Sequence, residues 1–130
     1  MAVNDLEQDI LAFFDAHADA FPLYKAFETK LMRMFPETKI QVKKTQISFS
    51  NRNLYACVSF QRVRKKADLP SPYIVITLGL SYPLESSRVA VKTEPYPGRW
   101  TTHIVIGTVE EIDDELFLLV KQAYRFAESK

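Results

Sequence analysis

The chain holds one cysteine, three glycines, two histidines and one tryptophan, so few residues are available for disulfides, metal ligation or sharp turns. A lone Cys57 forms no intramolecular disulfide, and no Cys/His pair stands at zinc-ligand spacing, which excludes a disulfide scaffold and weighs against a structural zinc. A reduced thiol fits a cytoplasmic setting. An excess of charge of one sign is also missing: 17 basic against 16 acidic residues give a net charge of +1, and no global field gathers polyanions. The first residues, among them Asn4, Asp5, Glu7 and Asp9, lack the basic lead into an apolar stretch that a secretory signal needs. The longest strongly apolar run, residues 73–80, falls far short of the roughly 20 residues that span a bilayer, so a soluble protein without a membrane segment is expected.

What is present is pattern, on a length that suits a single domain over residues 1–130. Asn4 precedes Leu6, Ile10, Phe13, Phe14 and His17, whose spacings of 4, 3, 1 and 3 set one helical stripe, and Glu7 completes an approximate capping box. Pro22 suits the first turn of a second helix, striped by Leu23, Phe27, Leu31 and Met34 and stopped by Pro36. From Lys39 the period falls to two: Ile40 and Val42, then Ile47 and Phe49, then Leu54, Ala56, Val58 and Phe60 alternate with polar or small residues. "SNRN" at 50–53 predicts a hairpin through asparagines that tolerate positive φ. Residues 73–80 read as a central strand, in which Gly79 marks a bulge or a close backbone approach. Residues 81–99 read as a long irregular connection with a short strand at 89–92, and 99–106 as the last strand. Thr108 and Glu111 form a T-x-x-E capping box opening a long helix striped by Ile112, Leu116, Leu119, Val120, Ala123, Tyr124 and Ala127.

Helices at the two ends of an antiparallel run predict an α+β, two-layer domain. Its antiparallel sheet has five to six strands, with two N-terminal helices and a long C-terminal helix packed on one face. If the aliphatic positions face the helices, the opposite face carries Gln46, Ser48, Tyr55, Cys57, Ser59, Tyr73 and Thr77. The last strand adds Thr101, His103 and Val105 there and turns Trp100 to the core. Such a face is either solvated or the floor of a ligand groove beneath the 81–99 connection.

Three stretches, "KTQISFSNRN" (44–53), "GLSYPLESSRV" (79–89) and "EPYPGRWTTHIVIGTVEEIDDELFLLVKQAYRFA" (94–127), resemble the bacterial domain of unknown function 5655 family in the same order of elements. The resemblance implies a small soluble domain without an assigned activity. In layout alone the chain is similar to the domain of unknown function 1801 family, which includes frataxin-like iron chaperones with an exposed carboxylate ridge. The nearest counterpart is Glu110, Glu111, Asp113, Asp114 and Glu115, and the first helix adds only Asp5, Glu7, Asp9 and Asp15. Consecutive helical carboxylates point around the axis instead of converging on a hard cation, and the helix dipole already accounts for them. Neither a metal nor a cofactor is expected.

The cations Lys44, Arg88 and Arg99 come from the segments that carry the resemblance, and guanidinium groups bind carboxylate or phosphate through paired hydrogen bonds. The expected function is binding of a small anionic ligand or peptide on the polar sheet face. Lys44, Arg88 and Arg99 supply charge, Gln46, Ser48 and His103 hydrogen bonds, and Tyr55 and Tyr96 flat walls. Two alternatives stay open: an enzyme using His103 as acid or base, and an interaction module that pairs through an exposed sheet edge. Cys57 with His103 is the only nucleophile and base combination, and no G-x-S-x-G turn exposes a nucleophile. "RVRKK" at 62–66 precedes a proline break, as solvated loops do, which weighs against nucleic acid. The sequence leaves the oligomeric state open.

Overall fold

The computed structural model describes residues 5–63 and 69–129. Helix α1 (Asp5–Phe13) leads through a 3-10 segment (Asp15–Ala20) into α2 (Phe21–Met34). Six strands follow: β1 (Lys39–Val42), β2 (Gln46–Ser50), β3 (Leu54–Ser59), β4 (Ile74–Leu80), β5 (Val89–Tyr96) and β6 (Arg99–Ile106). A 3-10 turn (Val109–Glu111) then precedes α3 (Asp114–Ser129). The strands form one antiparallel sheet in the order β1-β2-β3-β4-β6-β5, so β4 is interior as its apolar run predicts. The fold is the expected α+β arrangement.

Register explains why one face is apolar. Ile47, Val58, Ile76 and Ile104 stand side by side across four strands, and Phe49, Ala56, Leu78 and Thr102 form the next such row. These rows meet the buried stripes Leu23, Phe27 and Leu31 of α2 and Leu116, Phe117, Val120 and Ala123 of α3. Phe27 sits between the sheet and the C-terminal helix, 5.5 Å from the ring of Phe49 and 5.4 Å from that of Phe117.

Several local expectations give way to tertiary demands. Asn4, the expected cap of the first helix, lies outside the described residues, as do 64–66 of the basic run. The first stripe does not reach His17: α1 ends at Phe13, and His17 adopts φ −139° and ψ 47° within the 3-10 segment. The departure lets Phe14, buried, pack its ring against Phe13, Phe21, Tyr24 and Phe60, while His17 stacks on Phe60 at 4.0 Å. Asn51 and Asn53 do not take positive φ. Their amides instead donate to the α3 carbonyls of Tyr124 and Ala127, each at 2.9 Å, the second being one of the open carbonyls of the helix's last turn. Beside this turn β3 carries a bulge, because Phe49 pairs with Ala56 whereas Ser50 pairs with Leu54. The extra residue is Tyr55, and the bulge turns its ring into the core beside Phe35 and Tyr124, with its hydroxyl 2.7 Å from that of Thr38.

The expected 81–99 connection is an irregular stretch only as far as Arg88. Beyond it β5 and β6 make a hairpin closed at Tyr96 and Arg99 over Pro97 and Gly98, with Gly98 at φ 76°. Pro95 is tolerated because β5 is an edge strand and its missing N–H faces no ladder partner. The capping box of Thr108 and Glu111 forms as expected, but it opens the 3-10 turn. Asp113 then caps α3 itself, accepting from the Leu116 N–H at 3.0 Å.

Two stability measurements follow from this architecture. Thr102 is fully buried in the apolar row and its hydroxyl has no hydrogen-bond partner, so Thr102→Val removes an uncompensated polar atom without changing shape. It is expected to raise stability by about 1 kcal/mol and the melting temperature by about 3–5 °C; a lower melting temperature would show that the hydroxyl is satisfied. Asp113 has its carboxyl held below its ordinary pKa, first by the Leu116 N–H and further by Arg88. A depressed folded-state pKa stabilises above the ordinary carboxylate value and ceases to do so as pH falls through the folded one. The stability difference between the native chain and Asp113→Asn should therefore be present at pH 7 and close in acid, and a gap constant from neutral to acidic pH would contradict that linkage.

Candidate functional site

Reversing the parity of the core rows gives the sheet's other face. Ser48, Cys57, Thr77 and His103 lie side by side on β2, β3, β4 and β6, with Thr101 and Gly79 paired one step along. Ser48 and His103 are both buried. The Thr77 hydroxyl and His103 Nδ1 are hydrogen bonded at 2.9 Å, and Gln46 Nε2 donates to the Ser48 hydroxyl at 3.0 Å. Burial disfavours the imidazolium and lowers the His103 pKa from 6.5, so this ring is neutral at pH 7 and its remaining nitrogen is a neutral donor or acceptor.

The register also separates Cys57 from His103. Thr77 stands between them, placing their backbones two strand spacings apart, about 9–10 Å. Burial raises the Cys57 pKa to about 11, with Lys43 opposing the shift, so the sulfur is a protonated thiol at neutral pH. These two residues do not form a nucleophile and base pair.

Two clefts share residues of this face, the second passing round the sheet end to Ala56, Leu80 and Phe126 of the helix-covered side. One, of about 850 Å³, lies toward α1, with Phe13 and His17 on its wall, Thr77 and His103 on its floor, and Lys44 at its rim. The other, of about 630 Å³, lies toward the β5–β6 hairpin and has Tyr96, Arg99, Trp100 and Phe126 around Gly79. Gln46, Cys57, Thr77 and Thr101 line both, so the two are ends of one groove. Among the described residues its lining contains no Asp or Glu, and it includes Lys44, Arg99 and both histidines. Lys44 and Arg99 have no carboxylate partner among the described residues, and Arg99 lies over the Phe126 ring at 5.2 Å.

The groove brings together Lys44, Gln46, Tyr96, Arg99 and His103 of the expected residues. Arg88 is elsewhere and its guanidinium is occupied: it donates to both Asp113 carboxylate oxygens at 2.9 and 2.7 Å and to the Glu111 carbonyl at 3.0 Å, with Glu115 at 3.6 Å. It ties the 81–88 segment to the start of α3. Ser48 faces the right side but lies beneath Gln46, and Tyr55, which borders the hairpin end, is about 1% exposed and belongs to the core.

Sequence reading missed His17, Gly79, Thr101, Trp100 and Phe126. Thr101 falls on this face by its parity with His103 but is assigned no binding role by the sequence reading. Trp100 shares the parity of the core, but it pairs with Leu80 past the last β3–β4 pair, Ala56 with Leu78, and is left half-buried at the groove. Among the described residues no cluster of three or more His, Cys, Asp or Glu could hold a metal ion, and no helix is long and apolar enough to cross a membrane.

No curated protein and no solved structure matches the chain. The family model described as Domain of unknown function (DUF5655) matches residues 12–127, which supports the resemblance drawn from the three stretches and not the more distant one to the 1801 family. The match runs from the end of α1 through the groove-bearing sheet and into the last turns of α3, and the chain belongs to the DUF5655 family.

Proposed function

We propose that this protein is a binding module whose outer-face groove holds a small organic anion. The observation that carries the reading is a lining without carboxylates among the described residues, with Lys44 and Arg99 at its two ends and no described carboxylate paired to either. Near-neutral net charge gives no field at a distance, so attraction must come from local segregation of charge. A second cleft rich in cations lies along α2, but there Lys30 is 2.6 Å from Asp114 and Lys25 is 3.0 Å from Glu28. Exposed cations contribute little singly, about 0–1 kcal/mol each, so Thr77, Thr101, Gln46 and His103 supply the directional contacts along the floor.

Turnover is the weaker reading. His103 is held by a threonine, and among the described residues no carboxylate orients it and no nucleophile is bonded to it. Edge pairing is weaker too: β5 is an open edge, but two register irregularities and Pro95 oppose the addition of a strand.

A calorimetric and thermal-shift panel of organic phosphates and carboxylates tests the proposal. At least one compound should bind at low salt and weaken as salt rises. Lys44→Gln and Arg99→Gln, both at exposed positions, should each weaken it about threefold to tenfold without changing the unliganded melting temperature. Absence of binding by every anion at millimolar concentration, or undiminished binding by the double variant, would overturn the reading.

A further inference from the structure

Resting on the anion-binding reading, we propose that the ligand carries a planar aromatic ring, seated over Gly79 at the hairpin end of the groove, with its anionic group directed toward Lys44 and the histidines. The three glycines of the chain are not alike. Gly98 is required by its positive φ, and a Cβ on Gly107 would lie 2.6 Å from Pro70. Gly79 has neither reason: its φ is ordinary, a Cβ there would meet nothing within 4 Å, and its strand is paired regularly on both sides of it to β6. Glycine weakens a strand, and here its local effect is to leave bare peptide surface in the groove floor.

The surroundings of that gap match a flat guest. Tyr96, Trp100 and Phe126 gather at this end, and Tyr96 is 65% exposed. Arg99, already lying over one aromatic ring, presents a planar cation beside them. The opposite end has Phe13 and Phe60 in its wall but also holds Lys44, Gln61, His17 and His103, the groups able to meet an anion. Thr77, the floor residue shared by both ends, is two residues from Gly79, about 6.6 Å along β4. A ring bearing one phosphate or carboxylate spans such an interval, with its apolar body and its charge on matching surfaces.

Titration calorimetry on the full chain with two matched pairs tests this: phenyl phosphate against inorganic phosphate, and phenylacetate against acetate. In at least one pair the aromatic member should bind at least tenfold tighter. Gly79→Leu, whose Cβ would meet nothing within 4 Å, should abolish that advantage while leaving the simple anion's affinity within twofold. Should that variant fail to melt cooperatively, Tyr96→Ala at its exposed position should reduce the advantage at least threefold. Trp100, the only tryptophan, gives a second readout: its emission should change with the aromatic member and not with its partner. Equal affinities within both pairs would overturn the ring proposal and leave anion binding standing. An advantage unaffected by the folded Gly79 variant would also overturn it. Binding by none of the four probes would overturn the ring proposal, and the anion reading falls with it when the wider panel also fails to bind.

Discussion

Phe27 is the point on which the structure turns. Its ring touches Phe49 of the sheet on one side and Phe117 of the last helix on the other, so one α2 side chain joins the layers formed by three distant parts of the chain. The contact works only if Phe49 points toward the helices, which fixes the parity of β2 and, through the ladder, that of β3, β4 and β6. A one-residue slip would put Ser48, Cys57, Thr77 and His103 into the core and Ile47, Val58, Ile76 and Ile104 outside. The composition of the outer face is therefore set by the packing of the inner one.

That outer face is unusual in what it omits. Carboxylates are gathered at the start of α3, where Asp113 caps the helix, Glu111 closes the capping box, and Arg88 is neutralised by Asp113 and Glu115. The same ion pairs that anchor the 81–88 segment thus keep acidic side chains occupied away from the groove. What remains along the groove is a row of small hydroxyl, thiol and amide groups between two cations with no carboxylate partner among the described residues, with aromatic side chains in both end walls. The constraint is physical: anion attraction without a large net charge requires separation of the two signs within the fold.

Much of this was legible in the chain. Period-two alternation placed Gln46, Ser48, Thr77 and His103 on one face, and the 3.6-residue stripes of α2 and α3 identified the covering layer. Tyr55 was misplaced because a bulge adds one residue to β3, and no local signal announces which strand carries it. Arg88 looked available because its partners, Glu111 and Asp113, lie 23 and 25 residues away and no short-range rule connects them. The two prolines near Gly98 suggested an irregular loop, whereas an edge strand accepts Pro95 and the turn uses Pro97 with Gly98. His17 fitted a helical stripe by spacing alone, and the aromatic cluster around Phe14 and Phe60 decided otherwise.

The central claim is that the outer face, and not the cationic side of α2, is where an anion binds. The most direct measurement is an amide chemical-shift titration with phenyl phosphate on isotope-labelled protein. The account predicts saturable shifts centred on Thr77, Gly79, Thr101 and His103, with Lys25, Lys30 and Arg33 of α2 unmoved. Shifts confined to α2, or none on the outer face at saturating ligand, would contradict it.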